Sequence, residues 1–282
     1  MLDYLQLLLF GAFAGFTIFL GIPVAVLRVS SKKKGFLNAF AIGILIFLII
    51  DVFSSAWYSA SNSVLSAISG KTTTGNAVID VLAMFGGLGL GLLGLTLYGR
   101  LYLRDTALNR SIIQTSKASD GKIHELQLLH QVNSYRLSTM IAVGIGAHNF
   151  SEGLTIGQSY ASGVMGLALV LIIGFALHNA TEGFGIAAPL TGSKPPSSRF
   201  LVLVGLVGGG PTFLGTLLGS LWTSTFAYIL FLSIAGGALI YVTLLMYNSG
   251  RRQATDTILM LGLFLGLTAG FITDLLVTLG GA

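Results

Sequence analysis

The sequence predicts an all-α integral membrane protein with eight transmembrane helices and both termini on the outer side. Three observations predict it. Of 282 residues, 54% are hydrophobic and only 9% charged, with a mean hydropathy of +0.86, far from the balance of a soluble globular chain. Eight apolar stretches approach or exceed the roughly 20 residues that a bilayer crossing requires. Finally, 14 of the 15 basic residues fall in alternate connections between those stretches.

The first stretch covers residues 5–27, preceded by one charged side chain, Asp3. With no basic leader before it, it is expected to be a retained helix rather than a cleaved signal peptide. Arg28, Lys32, Lys33 and Lys34 follow it. Stretches 36–57 and 77–99 come next, joined by a connection holding Lys71, the one basic residue on the opposite side. The polar segment 100–136 carries Arg100, Arg104, Arg110, Lys117, Lys122 and Arg136 and reads as a long cytoplasmic loop. A hairpin follows, 137–158 and 163–190, with a short polar turn near Ser159 to Gly163. Lys194 and Arg199 lead into 200–222, then 226–247, then Arg251 and Arg252, then 257–279. Adding or dropping one span scrambles the charge alternation. Basic loops stay cytoplasmic, so residues 1–282 form a single transmembrane domain, multi-pass in the plasma membrane.

The net charge of +5 is assigned to loops lying beside anionic headgroups, and no nucleic-acid partner is implied. The chain lacks cysteine, which excludes disulfides and thiolate metal sites. With no P-loop and no loop long enough for a nucleotide-binding domain, it is not an ATP-driven pump on its own. Its 38 glycines suit helices that approach closely in lipid.

Two hexapeptides carry the chemistry. His148-Asn149-Phe150-Ser151-Glu152-Gly153 recurs thirty residues later as His178-Asn179-Ala180-Thr181-Glu182-Gly183, both of the form H-N-x-x-E-G. No Lys or Arg lies between Leu137 and Leu190, so neither carboxylate has a nearby basic partner, and charge at membrane depth is expensive. Positions i and i+4 share a helix face, which pairs His148 with Glu152 and His178 with Glu182. Across the hairpin, the turn offsets the two motifs by only about 3–6 Å at 1.5 Å per residue. Two imidazoles and two carboxylates can therefore converge on one cation. Imidazole and carboxylate suit Zn²⁺, and also Fe²⁺, Mn²⁺ and Co²⁺. Asn149 and Asn179 can add amide oxygens. The plainer alternatives are hydrogen-bonded core histidines or a proton relay. A single copy would be weak evidence, and two copies on paired helices favour a metal.

Asp51, Asp80 and Asp274 fall toward the outer ends of their spans, where three acids can form an entrance that concentrates cations. Each can equally cap a helix or meet interfacial water. In the 100–136 segment, His124 and His130, with Glu125 beside them, form a candidate weak metal site, although such loops are more often simply solvated.

At these residues the sequence resembles the ZIP (Zrt/Irt-like) family of divalent-metal transporters. The resemblance covers the whole chain in topology but is specific only around residues 148–153 and 178–187. It implies eight helices in a 3+2+3 inverted repeat, with metal between the fourth and fifth. His148, Glu152, His178 and Glu182 become the primary ligands, and Asn149 and Asn179 face a second position sharing the glutamates. The chain departs from the family pattern in three places. Ser151 and Thr181 replace proline, Gly210 before Pro211 stands where many members carry Glu, and Asn179 replaces a carboxylate.

The function expected is uptake of a divalent transition metal, zinc foremost, with Cd²⁺ also among the ions such a site accepts. No resident cofactor and no enzymatic activity are expected. A homodimer is a further expectation. The alternatives are a proton-coupled transporter of another solute, with the His–Glu pairs as relay, or a metal-dependent membrane enzyme. The enzyme would need a separate acid–base group, and the only other acids within spans are the outer aspartates.

Overall fold

The computed structural model describes residues 4–28, 30–101, 121–161, 165–191, 195–221, 224–251 and 254–279. Among them every regular element is helical. α1 (Tyr4–Phe16) continues through two 3-10 turns, Thr17–Leu20 and Ile22–Val26, where Gly21 and Pro23 interrupt regular winding. Then come α2 (Ser31–Ile68), α3 (Thr74–Leu101), α4 (Gly121–Ala161) and α5 (Met165–Ala187). The last three are α6 (Ser198–Leu221), α7 (Thr225–Gly250) and α8 (Asp256–Leu279).

Among the described residues, six of these are long and apolar enough to cross a membrane: α1 with its 3-10 continuation, α2, α3, α6, α7 and α8. α4 and α5 carry the two polar motifs. Two helices outrun the spans read from the sequence. α2 reaches Ile68, and at 38 residues it is about 57 Å long by its rise, so Asp51 lies near its middle rather than its end. α4 begins at Gly121, so the second part of the segment read as a loop is helical. Residues 102–120 lie outside the described residues.

The helices sort into two groups. α4 and α1 each pack on α6 and on α5, while α2 packs on α7, α8 and α3, and α3 on α7. Within each group, glycines bring backbones into contact. A Cβ on Gly15 would strike the Gly209 carbonyl, one on Gly153 the Thr212 carbonyl, and one on Gly183 the Ile18 carbonyl. In the other group, Gly43 meets the Leu263 carbonyl, Gly266 the Phe40 carbonyl, Gly91 the Ile234 carbonyl and Gly237 the Leu88 carbonyl. Between the groups contact passes through side chains: Phe150 on Phe231, Phe40 on Phe184, and Phe47 on the ring of His178. Gly144 of α4 faces Ala238 of α7 at an ordinary 3.5 Å.

These crossings come in matched pairs. Ile18 on Gly183 is repeated by Thr212 on Gly153, and Phe40 on Gly266 by Ile234 on Gly91. Each first partner precedes its counterpart by 194 residues, from Ile18 to Thr212 and from Phe40 to Ile234. The same spacing links Gly11, Gly15, Phe19, Leu20 and Gly21 to Gly205, Gly209, Phe213, Leu214 and Gly215.

Candidate metal centre

The H-N-x-x-E-G helices meet at their motifs. Their glycines set the depth of packing: Gly153 admits α6 and Gly183 admits the turn after α1, so both hairpin helices are held from outside while their His and Glu faces turn inward. His148 and His178 are 2% and 6% exposed, Glu152 and Glu182 6% and 0%. His148 Nε2 lies 3.2 Å from Glu152 Oε1 and 3.8 Å from Glu182 Oε1, while His178 Nε2 lies 3.7 Å from that same Glu182 oxygen. The imidazole centroids are 5.9 Å apart. One donor atom each from His148, Glu152 and His178 falls within 4.8 Å of the others.

The two asparagines do equivalent things. Asn149 Nδ2 donates to the Gly208 carbonyl at 3.0 Å and to Glu182 Oε2 at 2.8 Å; Asn179 Nδ2 donates to the Ala14 carbonyl at 2.8 Å. Ala14 and Gly208 are again 194 residues apart. Each amide nitrogen is thus anchored on a neighbouring helix, and the amide oxygen is left as an acceptor.

Buried polar atoms without partners are costly, and here they concentrate. Both nitrogens of His148, His178 Nε2, Glu152 Oε2, Glu182 Oε1, and the Oδ1 atoms of Asn149 and Asn179 make no hydrogen bond, and the Ser151 hydroxyl is likewise unpaired. Every salt bridge among the described residues is a His–Glu contact of this cluster, so no Lys or Arg neutralises it. Imidazole and carboxylate donors lacking partners in a dry setting fit a divalent ion, which would satisfy several at once.

On α6 the expected position needs correction. Gly210 lies one turn from Leu206 (45% exposed) and one turn from Leu214 (54% exposed), on the outward face. A Cβ there meets nothing within 4 Å. Thr212, fully buried, is the α6 side chain turned inward, between Gly15 of α1 and Gly153 of α4. Its hydroxyl has no partner, whereas Thr216 one turn on returns its hydroxyl to the Thr212 carbonyl at 2.8 Å. The Gly208 carbonyl, where a back-bonding Thr212 would point, is taken by Asn149. Pro211 marks a helix position without saying which face its neighbours occupy.

The outer acids separate. Asp51, half-buried on α2, is close enough to His148 and to Asp274 for their charges to interact. Asp274 is exposed near the end of α8. Asp80 lies elsewhere, buried in a cleft of α2, α3 and α7 that neither of the other two lines. His124 and His130 fall on the first turns of α4, and their side chains lie outside the described residues. Beyond Thr212, sequence reasoning also missed Tyr228 of α7, half-buried beside Thr155 of α4 and Ser55 of α2.

Residues 33–277 match the family model described as ZIP Zinc transporter. The chain belongs to that family. It is therefore a multi-pass membrane protein that transports divalent metal ions, and the members of the ZIP family are transporters rather than enzymes.

Proposed function

We propose that this ZIP transporter takes up a transition-metal dication, Zn²⁺ foremost, across the plasma membrane. The cargo would rest on His148, Glu152, His178 and Glu182 between α4 and α5. The observation that carries this reading is the convergence of two imidazoles and two carboxylates, buried, with orphaned donor atoms and no basic side chain to neutralise them. A thiolate-free set also suits a carrier, because the ion has to leave. Zinc heads the list because nitrogen and carboxylate oxygen together are its ordinary ligands.

The wider frame is eight spans, the first three and last three helices related as an inverted repeat about the α4–α5 pair, and both termini outside. The matched glycine crossings support the repeat, and the basic connections support the orientation. Alternating access then proceeds by rigid-body displacement of one helix group against the other. Each group is interlocked backbone to backbone, while the face between them is side-chain packing that can slide.

Isotopic zinc uptake by the purified chain in liposomes, with competing Fe²⁺, Mn²⁺, Co²⁺ and Cd²⁺, tests the proposal. Strong competition by zinc over the rest is expected, and indifference to zinc overturns it. Orientation is read separately in intact cells. Lys117→Cys should resist an impermeant thiol reagent and Ser63→Cys should react; the reverse pattern refutes inward transport. A second reading, proton coupling, draws on the 3.2 Å approach of His148 to Glu152. Uptake that follows an imposed pH gradient without any metal would favour it.

A further inference from the structure

At the end of the molecule where α2 stops and α3 and α7 begin, the chain makes a tight reversal. Lys71 N donates to the Ser66 carbonyl at 2.8 Å and Gly70 N to the Ala67 carbonyl at 3.1 Å, with Gly70 at φ 71°. This pairing closes a helix around a left-handed glycine. The reversal brings Thr72 and Asn76 back across Ser59, Asn62, Ser63 and Ser66 of α2 and leaves a cleft of about 580 Å³. Asp80 forms part of its wall and is only 7% exposed.

Among the described residues the Asp80 carboxylate has one hydrogen-bond partner, the Ser63 hydroxyl, which donates to Oδ2 at 2.6 Å. Among the described residues it forms no ion pair. Lys71, the base nearest in sequence, is exposed and does not line the cleft. With Oδ2 bonded to Ser63, the carboxylate's remaining lone pairs are open to the cleft, where a cation can be held.

The walls indicate which kind. Every polar side chain in them offers oxygen: the Asp80 carboxylate, serine and threonine hydroxyls, and two asparagine amides. Asn76 turns its Nδ2 toward Thr72 Oγ1 at 3.5 Å, which leaves its amide oxygen for a ligand. No histidine takes part, in contrast to the α4–α5 centre. Oxygen-only sets select hard cations, and flexible neutral oxygens in a roomy site suit the six to eight ligands of Ca²⁺ better than the rigid octahedron of Mg²⁺. We infer that this cleft binds Ca²⁺ on Asp80 and the surrounding oxygens, at a site distinct from the zinc centre. The ion ties the end of α2 to the starts of α3 and α7. With one formal charge the affinity is low, roughly 0.1–1 mM or weaker.

The test is thermal unfolding of the purified full chain in detergent, stripped with chelator and titrated with CaCl₂ at constant ionic strength. The native chain should show a saturable rise in Tm of about 2–4 °C at tenfold excess over Kd. The Glu152→Ala, Glu182→Ala double variant should keep that rise, which separates it from the α4–α5 centre. Asp80→Asn should abolish it, and Asn76→Ala should move the midpoint about threefold or more to higher calcium. A native chain without a saturable rise overturns the inference, as does an Asp80→Asn variant that responds like the native one. Should Asp80→Asn fail to fold, an unchanged midpoint in Asn76→Ala overturns it equally. A MgCl₂ midpoint tighter than that of CaCl₂ overturns the assignment to calcium.

Discussion

The group of α1, α4, α5 and α6 and the group of α2, α3, α7 and α8 are built by the same device and filled with different chemistry. Both are interlocked by glycines that let backbone touch backbone. The first, however, holds the two histidines, the two glutamates, both motif asparagines and Thr212, all buried. The second presents mainly Leu, Ile and Phe, with Asp51 as its charged side chain electrostatically linked to the centre. On the proposed ligand set, a cation bound by the first group would be held by ligands of that group alone. Displacing that group as a body would thus carry the ion without breaking its coordination, and only side-chain contacts have to change.

The largest expected effect comes from removing charge on the first group. Glu152→Ala and Glu182→Ala should each lower metal uptake by more than roughly tenfold, since even lost outer partners cost a metal site that much. Ser151→Ala, between His148 and Glu152, should retain most uptake. Undiminished transport in both glutamate variants would move the site elsewhere.

Joining the groups should arrest the cycle. The chain has no cysteine, and a Cβ on Gly144 would sit 3.5 Å from that of Ala238, within the span of a disulfide. Gly144→Cys with Ala238→Cys should therefore transport when reduced and stop when oxidised, with zinc binding in detergent retained. Full activity in the crosslinked protein would refute relative motion of the groups.

Substitutions at the two kinds of glycine sharpen the same distinction more gently. Gly153→Ala and Gly183→Ala drive a methyl into a carbonyl of the same group, and overpacking of this kind costs about 1–3 kcal/mol. Gly144→Ala, at the face between groups, makes an ordinary contact and should leave the melting temperature within a degree or two, given that about 1 kcal/mol corresponds to roughly 2–4 °C. Equal destabilisation at all three would show that the division into groups is not mechanical.

Much of this was legible in the sequence. The helical fold followed from apolar runs, and the site residues from two hexapeptides thirty positions apart. A sequence repeat was legible too, in G-x-x-x-G-x-x-x-F-L-G at Gly11 to Gly21 and again at Gly205 to Gly215. It escapes notice because the matches are small residues, which recur throughout a chain with 38 glycines. Other features could not be read. That α2 runs on to Ile68 depends on packing beyond the bilayer, and the inward face of α6 depends on which glycines meet α1 and α4. The position of Pro211 could not reveal that Thr212, not Gly210, is the buried α6 side chain.

That last difference carries the smallest expected effect. Two cations sharing Glu152 and Glu182 repel strongly unless further charge offsets them. The other buried donors without partners that a second position could draw on are neutral: the Asn149 and Asn179 amide oxygens and the Thr212 hydroxyl. One metal should therefore be well occupied and a second only weakly. Thr212→Val keeps the shape and removes the hydroxyl, and it should weaken the second position by about 1 kcal/mol, or roughly fivefold, while leaving the first unchanged. Gly210→Glu points a carboxylate at the exposed face between Leu206 and Leu214 and should leave stoichiometry where it was. Thr212→Asp, by contrast, should raise occupancy of the second position, because it brings charge to the buried side of α6. Equilibrium dialysis of zinc against the three variants in detergent reads all of these at once. A rise in bound metal with Gly210→Glu and none with Thr212→Asp would return the α6 ligand position to Gly210 and with it reverse the face assigned to that helix.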